Sequence, residues 1–265
     1  MIPKIIHLCW FGGKPLPPLA KECVASWRKF LPGYRIVQWS EERYIDEARS
    51  HTLADEVRVF DVDMMPYTAE AYRLGKYAFV SDYARFWILY QYGGIYFDTD
   101  VEVIRPIDDI VERGNFMGFE TDPKPQLKAD ASEASVNPGL GMGVAPGLGI
   151  IKKMLDYYEG RHFEFIPGGI GQLTIVHIAT EVLRKAGLKQ QQGIQQVDDM
   201  WIYPAEYFCP INLKTGRIHV RPNTRTIHHY AGTWQDKHFS FKEWIKKVLP
   251  ESLLLKVIAV KTKRK

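Results

Sequence analysis

Short apolar runs alternate with segments of helical period along the chain, the pattern of an α/β domain. Ile5 to Trp10 is an apolar run ended by Gly12-Gly13 and predicts a first strand. A helix is expected over Pro17–Phe30, a strand over Arg35–Trp39 and a helix over Glu42–Ser50. Pro66–Leu74 opens another helix with proline in its first turn, where the missing N–H costs nothing. Tyr77–Tyr92 is the longest helical segment and is apolar almost all round, so it should be buried on most sides. Gly93-Gly94 stops it, and Ile95-Tyr96-Phe97 is a strand running straight into Asp98-Thr99-Asp100. Val101–Ile104, closed by Pro106, and Phe116–Phe119 predict two more strands. Thr121–Gly139 is polar with three prolines and reads as a long loop. Helices over Leu148–Tyr158 and Gln172–Ala186 follow, then a loop-rich stretch, Thr226-Ile-His-His-Tyr and an amphipathic end. No repeat or long linker divides the chain, so residues 1–240 are expected as one domain and 241–265 as a tail.

Composition narrows the class. Of 265 residues, 46% are hydrophobic and 25% charged, which excludes disorder, collagen and coiled coil. No apolar run approaches the roughly 18 residues of a membrane span, and no secretory apolar segment opens the chain. The expectation is a cytoplasmic protein. Cys9, Cys23 and Cys209 lack C-x-x-C spacing, as expected of reduced, buried thiols. The net charge of +4 is unevenly placed, because Lys242 to Lys265 alone carry eight basic residues against Glu243 and Glu251. The rest of the chain is therefore slightly acidic, against a nucleic-acid-binding domain. In the tail, Trp244, Ile245, Val248, Leu249, Leu253, Leu254, Val257 and Ile258 recur at near-helical spacing among lysines. That pattern suits either a terminal helix packed on the domain or peripheral contact with the anionic inner face of a membrane.

The strongest chemical signal is Asp98-Thr99-Asp100. Side chains at i and i+2 of an extended chain point the same way, and two adjacent carboxylates repel unless a cation lies near. They follow an apolar strand, where ligands bind in open α/β sheets, and oxygen ligands of this kind suit Mg²⁺ or Mn²⁺. Read as structure only, the same residues are a polar turn. Asp82 and Arg85 share one face of the buried helix, either as a simple pair or at the rim of a polar cleft holding hydroxyls or phosphate. His228 and His229 are adjacent, so at most one faces a metal. Trp10, at the end of the first strand, is either core or a stacking platform for a base.

Ser81-Asp82-Tyr83-Ala84-Arg85 followed by Leu89-Tyr90-x-x-Gly93-Gly94-Ile95-Tyr96-x-Asp98-x-Asp100 resembles the signature of D-x-D glycosyltransferases, above all glycosyltransferase family 32. That family includes the yeast initiating α-mannosyltransferase and bacterial capsule and lipopolysaccharide enzymes. Ile2-Pro3-Lys4-Ile5-Ile6-His7-x-x-Trp10-x-Gly12 and His229-x-x-Gly232-x-Trp234 resemble the family too, and the same blocks resemble the glucosylating domain of large clostridial toxins. The resemblance implies a GT-A fold (a Rossmann-like mixed sheet flanked by helices), a nucleotide-sugar donor, a divalent metal and transfer with retention. Carried over by position, Trp10 stacks on the donor base, and Asp82 and Arg85 hold ribose or sugar hydroxyls. Asp98 touches ribose or sugar directly or through the metal's water, Asp100 is the direct metal ligand, His229 completes the metal site, and Trp234 lies against the diphosphate. The glycine-rich stretches Pro138–Gly143 and Pro167–Gln172 match the family only loosely and lack a phosphate-loop ending.

The expected activity is therefore a retaining, Mn²⁺- or Mg²⁺-dependent hexosyltransferase. Its donor is a UDP-sugar by preference, its acceptor a glycan or lipid-linked oligosaccharide, and its setting surface polysaccharide synthesis. Two alternatives stay open: a metal-dependent nucleotidyltransferase or phosphohydrolase, and a non-catalytic carbohydrate-binding protein.

Overall fold

The computed structural model describes residues 1–123, 134–164, 166, 174–212 and 215–231. Strand β1 (Ile5–Cys9) leads into helix α1 (Pro18–Phe30), whose Ala20, Cys23, Val24 and Trp27 form one buried stripe. Next come β2 (Arg35–Ser40), α2 (Ile45–His51), β3 (Glu56–Val59) and α3 (Pro66–Arg73). The long helix α4 (Tyr77–Tyr92) runs into β4 (Gly94–Tyr96), followed by β5 (Val101–Val103), α5 (Asp108–Arg113) and β6 (Asn115–Thr121). Then follow β7 (Ser135–Val136), β8 (Met142–Val144), α6 (Gly149–Asp156) and α7 (Ile175–Lys185). The chain continues through β9 (Gln195–Val197), β10 (Met200–Tyr203) and α8 (Ala205–Phe208). Last among the described residues are β11 (Ile211–Asn212), β12 (Arg217–Ile218) and β13 (Thr226–His228).

The main sheet has the order β3-β2-β1-β4-β8-β6-β10-β9, with β7 paired to β6. Strands β3, β2, β1 and β4 are parallel, β8 is antiparallel to both β4 and β6, and β10 is parallel to β6. Alternation along β2 sends Ile36 to one core and Val37 and Trp39 to the other. Helices α3, α4, α6 and α7 contribute to the core of one face, and α1, α5 and α8 to that of the opposite face. This is the helix-flanked mixed sheet that the GT-A resemblance implies. No described helix is long and apolar enough to cross a membrane. All three cysteines are free and buried.

Three regions differ from the sequence expectations. Met142-Gly143-Val144, part of a glycine-rich turn by sequence, forms the strand between β4 and β6. Gly143 is needed there because the Phe116 ring occupies the space a side chain would fill. The stretch expected to be loop-rich contains β9, β10 and α8, whose apolar positions are too few to produce a periodic signal. Within the expected long loop, Ser135–Val136 pairs with β6, while residues 124–133 lie outside the described residues, as does the tail.

The junction between α4 and β4 sets the entry to the D-x-D segment. Gly93 and Gly94 have φ of +63° and +101°, and a Cβ at Gly94 would come within 2.7 Å of the Ile5 carbonyl oxygen. Beneath this turn lies the fully buried His7. The Trp39 indole N–H donates to His7 Nδ1 at 3.1 Å, so the proton sits on Nε2, which donates to the Gly93 carbonyl at 3.0 Å. Burial pushes the His7 pKa down from 6.5 to about 4. Between these values the unfolded chain binds a proton that the folded chain does not, so stability falls as pH drops through this window. The loss reaches about 3 kcal/mol from this residue. Urea midpoints between pH 7 and pH 4 should fall more steeply for the natural protein than for a His7→Gln variant; equal slopes would contradict this account.

Candidate active site

The C-terminal ends of β1, β4 and β6 open on one edge of the sheet, since β8 is antiparallel to both β4 and β6 and β4 is parallel to β1. Each supplies a side chain to one cleft: Trp10 just past β1, Asp98 just past β4, and Glu120 near the end of β6. The cleft encloses about 1790 Å³. That exceeds the roughly 300–1,000 Å³ of single small-molecule pockets. Asp82 and Arg85 enter it from α4, and His228 from the ribbon that β13 makes with β5.

Arg85 is the electrostatic hub. Its guanidinium lies 2.8 Å from Asp82 Oδ1 and 3.2 Å from Asp98 Oδ1, its Nε donates to the Ser81 carbonyl, and it packs 4.7 Å from the Tyr96 ring centroid. The pairing of Asp82 with Arg85 read from spacing is therefore present, and it extends to the first aspartate of the motif. Arg85 is almost wholly enclosed, with a side chain 4% exposed, so it acts chiefly by fixing these two carboxylates. Burial pushes the Asp82 carboxyl up to about 7, with Arg85 opposing the shift and Asp98 adding to it. Burial works against the Arg85 charge as well, but Asp98, Tyr96 and Asp82 hold its pKa above the ordinary value.

Asp98, Asp100 and His228 bring one potential ligand atom each within 4.8 Å of one another. His228 Nε2 lies 3.1 Å from Asp100 Oδ1 and 3.8 Å from Asp98 Oδ2. Asp98 also receives the Tyr96 hydroxyl at 3.2 Å, and the Asp98 N–H donates to the Gly139 carbonyl. Asp100 Oδ2 receives the Ala231 N–H at 2.7 Å. Burial would raise the Asp100 pKa, but the hydrogen bond and charge of His228, with the Ala231 N–H, hold it below the usual range. Burial would likewise lower the His228 pKa, yet Asp100 and then Asp98 raise it.

The histidine assignment needs correction. His229 points away from the acidic pair and its Nε2 meets Glu102 at 3.0 Å, whereas His228 faces the pair. Adjacent residues at the end of β13 project to opposite sides, and pairing of His228 with Val101 fixes which one turns inward. His229 lines the cleft beyond the acidic pair, and its backbone N–H donates to the Asp100 carbonyl at 3.0 Å. A His228→Ala variant should bind Mn²⁺ at least tenfold more weakly than wild type, and His229→Ala less than about threefold more weakly. Mn²⁺ titrations of both variants check this, and the reverse ranking would restore His229.

Trp10 is half-buried and lines the cleft beside Gly12 and Lys14. Trp234 lies outside the described residues. Sequence reasoning did not single out Glu120, Asn137 or Tyr230, which line the same cleft. Glu120 stands near a strand end ahead of a polar segment, a weak signal that any strand end shares.

A carboxylate pair with a facing imidazole, past the end of a central strand, is a set of ligand atoms suited to a divalent metal ion. Residues 17–117 match the family described as glycosyltransferase sugar-binding region containing DXD motif. The chain is similar to inositol phosphoceramide mannosyltransferase 1 of Schizosaccharomyces pombe, 26% identical over 46% of this chain and 35% of that protein. It is also similar to inositol phosphoceramide mannosyltransferase 3 of the same yeast, 32% identical over 42% of this chain and 27% of that protein. The similarity thus spans about a third of these relatives or less. Among solved structures, the apo form of mouse xyloside xylosyltransferase 1 is similar at a TM-score of 0.47 and 11% identity, over 86% of this chain and 98% of that one.

Proposed function

We propose that the protein is a retaining, metal-dependent glycosyltransferase that moves a hexose from a nucleotide-sugar to a glycan or lipid-linked acceptor. The observation that carries this reading is the meeting of Asp98, Asp100 and His228 in the cleft that Trp10 also lines. Two carboxylates and one imidazole are a donor set that suits Mn²⁺ better than Mg²⁺. Asp100 and His228 would hold the ion most directly, because Asp98 already shares its oxygens with Arg85 and Tyr96. A bound divalent cation supplies Lewis-acid stabilisation of the donor's diphosphate as it leaves.

The remaining work falls to the chain. Trp10 receives the base, and Asp82 and Asp98, fixed by Arg85, accept hydroxyls of the ribose or sugar. The enclosed charges are oriented before the substrate arrives, so no reorganisation is needed when positive charge develops on the sugar ring. The acceptor hydroxyl enters on the face that the diphosphate vacates, which gives retention without a covalent intermediate.

A UDP-sugar donor is supported by the resemblance of the Trp10 and Ser81–Arg85 blocks to those of UDP-sugar users, and a role in surface polysaccharide synthesis by the resemblance to a family that includes bacterial capsule and lipopolysaccharide enzymes. The names of the two yeast relatives favour a second reading, a mannosyl donor and an inositol-phosphate lipid acceptor. Calorimetry with UDP and with GDP, each with Mn²⁺ or EDTA, separates them. Tight metal-dependent binding of UDP alone supports the first, of GDP alone the second, and of neither nucleotide contradicts both. We further propose a cytoplasmic protein touching the inner membrane face through residues 241–265. A chain ending near Ser240 that fractionates with membranes as the full chain does would refute that contact.

A further inference from the structure

Glu120 differs from the other carboxylates of the cleft in what surrounds it. Its Oε1 receives two hydrogen bonds, from Asn137 Nδ2 at 2.8 Å and from the Tyr230 hydroxyl at 2.9 Å. Asp82 and Asp98 share Arg85, and Asp100 faces His228 at 3.1 Å, whereas no cation among the described residues forms an ion pair with Glu120. Its second oxygen, Oε2, receives no hydrogen bond from a described residue, and the side chain is part of the cleft wall. A half-buried carboxylate with one oxygen engaged twice, and the other without a partner among the described residues, can accept a donor from the solvent or from a ligand.

The two residues that hold it are themselves firmly set. Asn137 Oδ1 receives the Gly139 N–H at 2.8 Å, and the Gly139 carbonyl in turn receives the Asp98 N–H at 3.1 Å. Tyr230 adopts a left-handed backbone, φ +49°, and lays its ring edge-on against His228 with centroids 4.1 Å apart. Glu120 is thus tied on one side to the Asp98 segment and on the other to the His228 ring. A carboxylate so oriented is organised to accept a hydrogen bond, and the ligand groups offering donors in a sugar-handling cleft are hydroxyls.

Resting on the glycosyltransferase reading above, we propose that Glu120 is a further substrate-binding residue, whose Oε2 accepts a hydrogen bond from a sugar hydroxyl and so helps to select the sugar. The hydroxyl belongs either to the transferred hexose or to the acceptor, and one substitution tells these apart. In Glu120→Gln the amide oxygen still accepts from Asn137 and Tyr230, while an NH₂ replaces the free acceptor. The variant therefore turns an acceptor into a donor at the cleft wall and keeps the internal hydrogen bonds. A charged hydrogen bond lost in this way costs about ten- to a hundredfold.

The experiment compares wild type with Glu120→Gln, and with Glu120→Asp should the first variant not fold. Donor hydrolysis and, with an accepted glycan, transfer are both measured as kcat and KM. A tenfold or greater fall in kcat/KM for hydrolysis assigns the contact to the transferred sugar. Unchanged hydrolysis with a tenfold fall in kcat/KM for acceptor assigns it to the acceptor. In either case the deoxy-sugar lacking that hydroxyl should be used equally by wild type and variant, a readout that mere structural support would not produce. Both activities within twofold of wild type, or a deoxy-sugar penalised by the substitution as much as its parent, would overturn the proposal. A wild-type protein inactive on every nucleotide-sugar would instead count against the glycosyltransferase reading itself.

Discussion

Replacing Asp100 with Asn should abolish most catalysis while leaving the fold intact. The amide is isosteric and its oxygen can still receive the Ala231 N–H that Asp100 now receives at 2.7 Å. What disappears is the negative charge beside His228, 3.1 Å away, and with it one of the two carboxylates of the cluster. Removing a single preorganised electrostatic element of an active site typically costs about 10²–10³ in kcat. We expect a loss of that size in nucleoside diphosphate release, with a thermal midpoint within about 2 °C of wild type. Near-normal turnover of the variant in excess Mn²⁺ would show that Asp100 does not hold the metal.

The second large effect concerns stability. Arg85→Met deletes the cation that Asp82 and Asp98 share and leaves the buried Asp82 and the partly buried Asp98 without it. Breaking a buried ion pair from one side costs about 3–5 kcal/mol, because the remaining charge keeps its desolvation penalty. For a chain of this size that corresponds to a fall of roughly 10 °C in the thermal midpoint. Adding Asp82→Asn to the same chain should recover part of the loss by removing one stranded charge. Arg85→Lys should not rescue it fully, since an ammonium cannot reach both carboxylates in the geometry of a planar guanidinium. Calorimetric melting of the three variants tests this, and an Arg85→Met midpoint unchanged from wild type would contradict the hub role.

These residues were readable before the structure because their signals are local. The apolar helix ending at Gly93, the strand Ile95–Phe97 and the aspartates two apart follow from periodicity and turn chemistry within about twenty residues. The pairing of Asp82 with Arg85 follows from one helical turn. Which histidine faces the aspartates does not, because both are equally plausible until the register of β13 against β5, more than a hundred residues away, is known. Gly143 gave no strand signal because its lack of a side chain answers to Phe116 on another strand. Glu120 and Tyr230 are 110 residues apart and meet only through the packing of the sheet edge against the β13 ribbon. Local chemistry was thus legible and tertiary juxtaposition was not.

The central claim is that this cleft cleaves a nucleotide-sugar with a divalent metal held by Asp100 and His228. Its most direct test is a donor-hydrolysis screen, in which the purified protein is given each common UDP- and GDP-sugar with Mn²⁺ or with EDTA. Release of nucleoside diphosphate from one donor, abolished by EDTA and by Asp100→Asn, is the expected result and names the sugar at the same time. Release that persists in EDTA, or release of free phosphate or diphosphate in place of a nucleoside diphosphate, would contradict it.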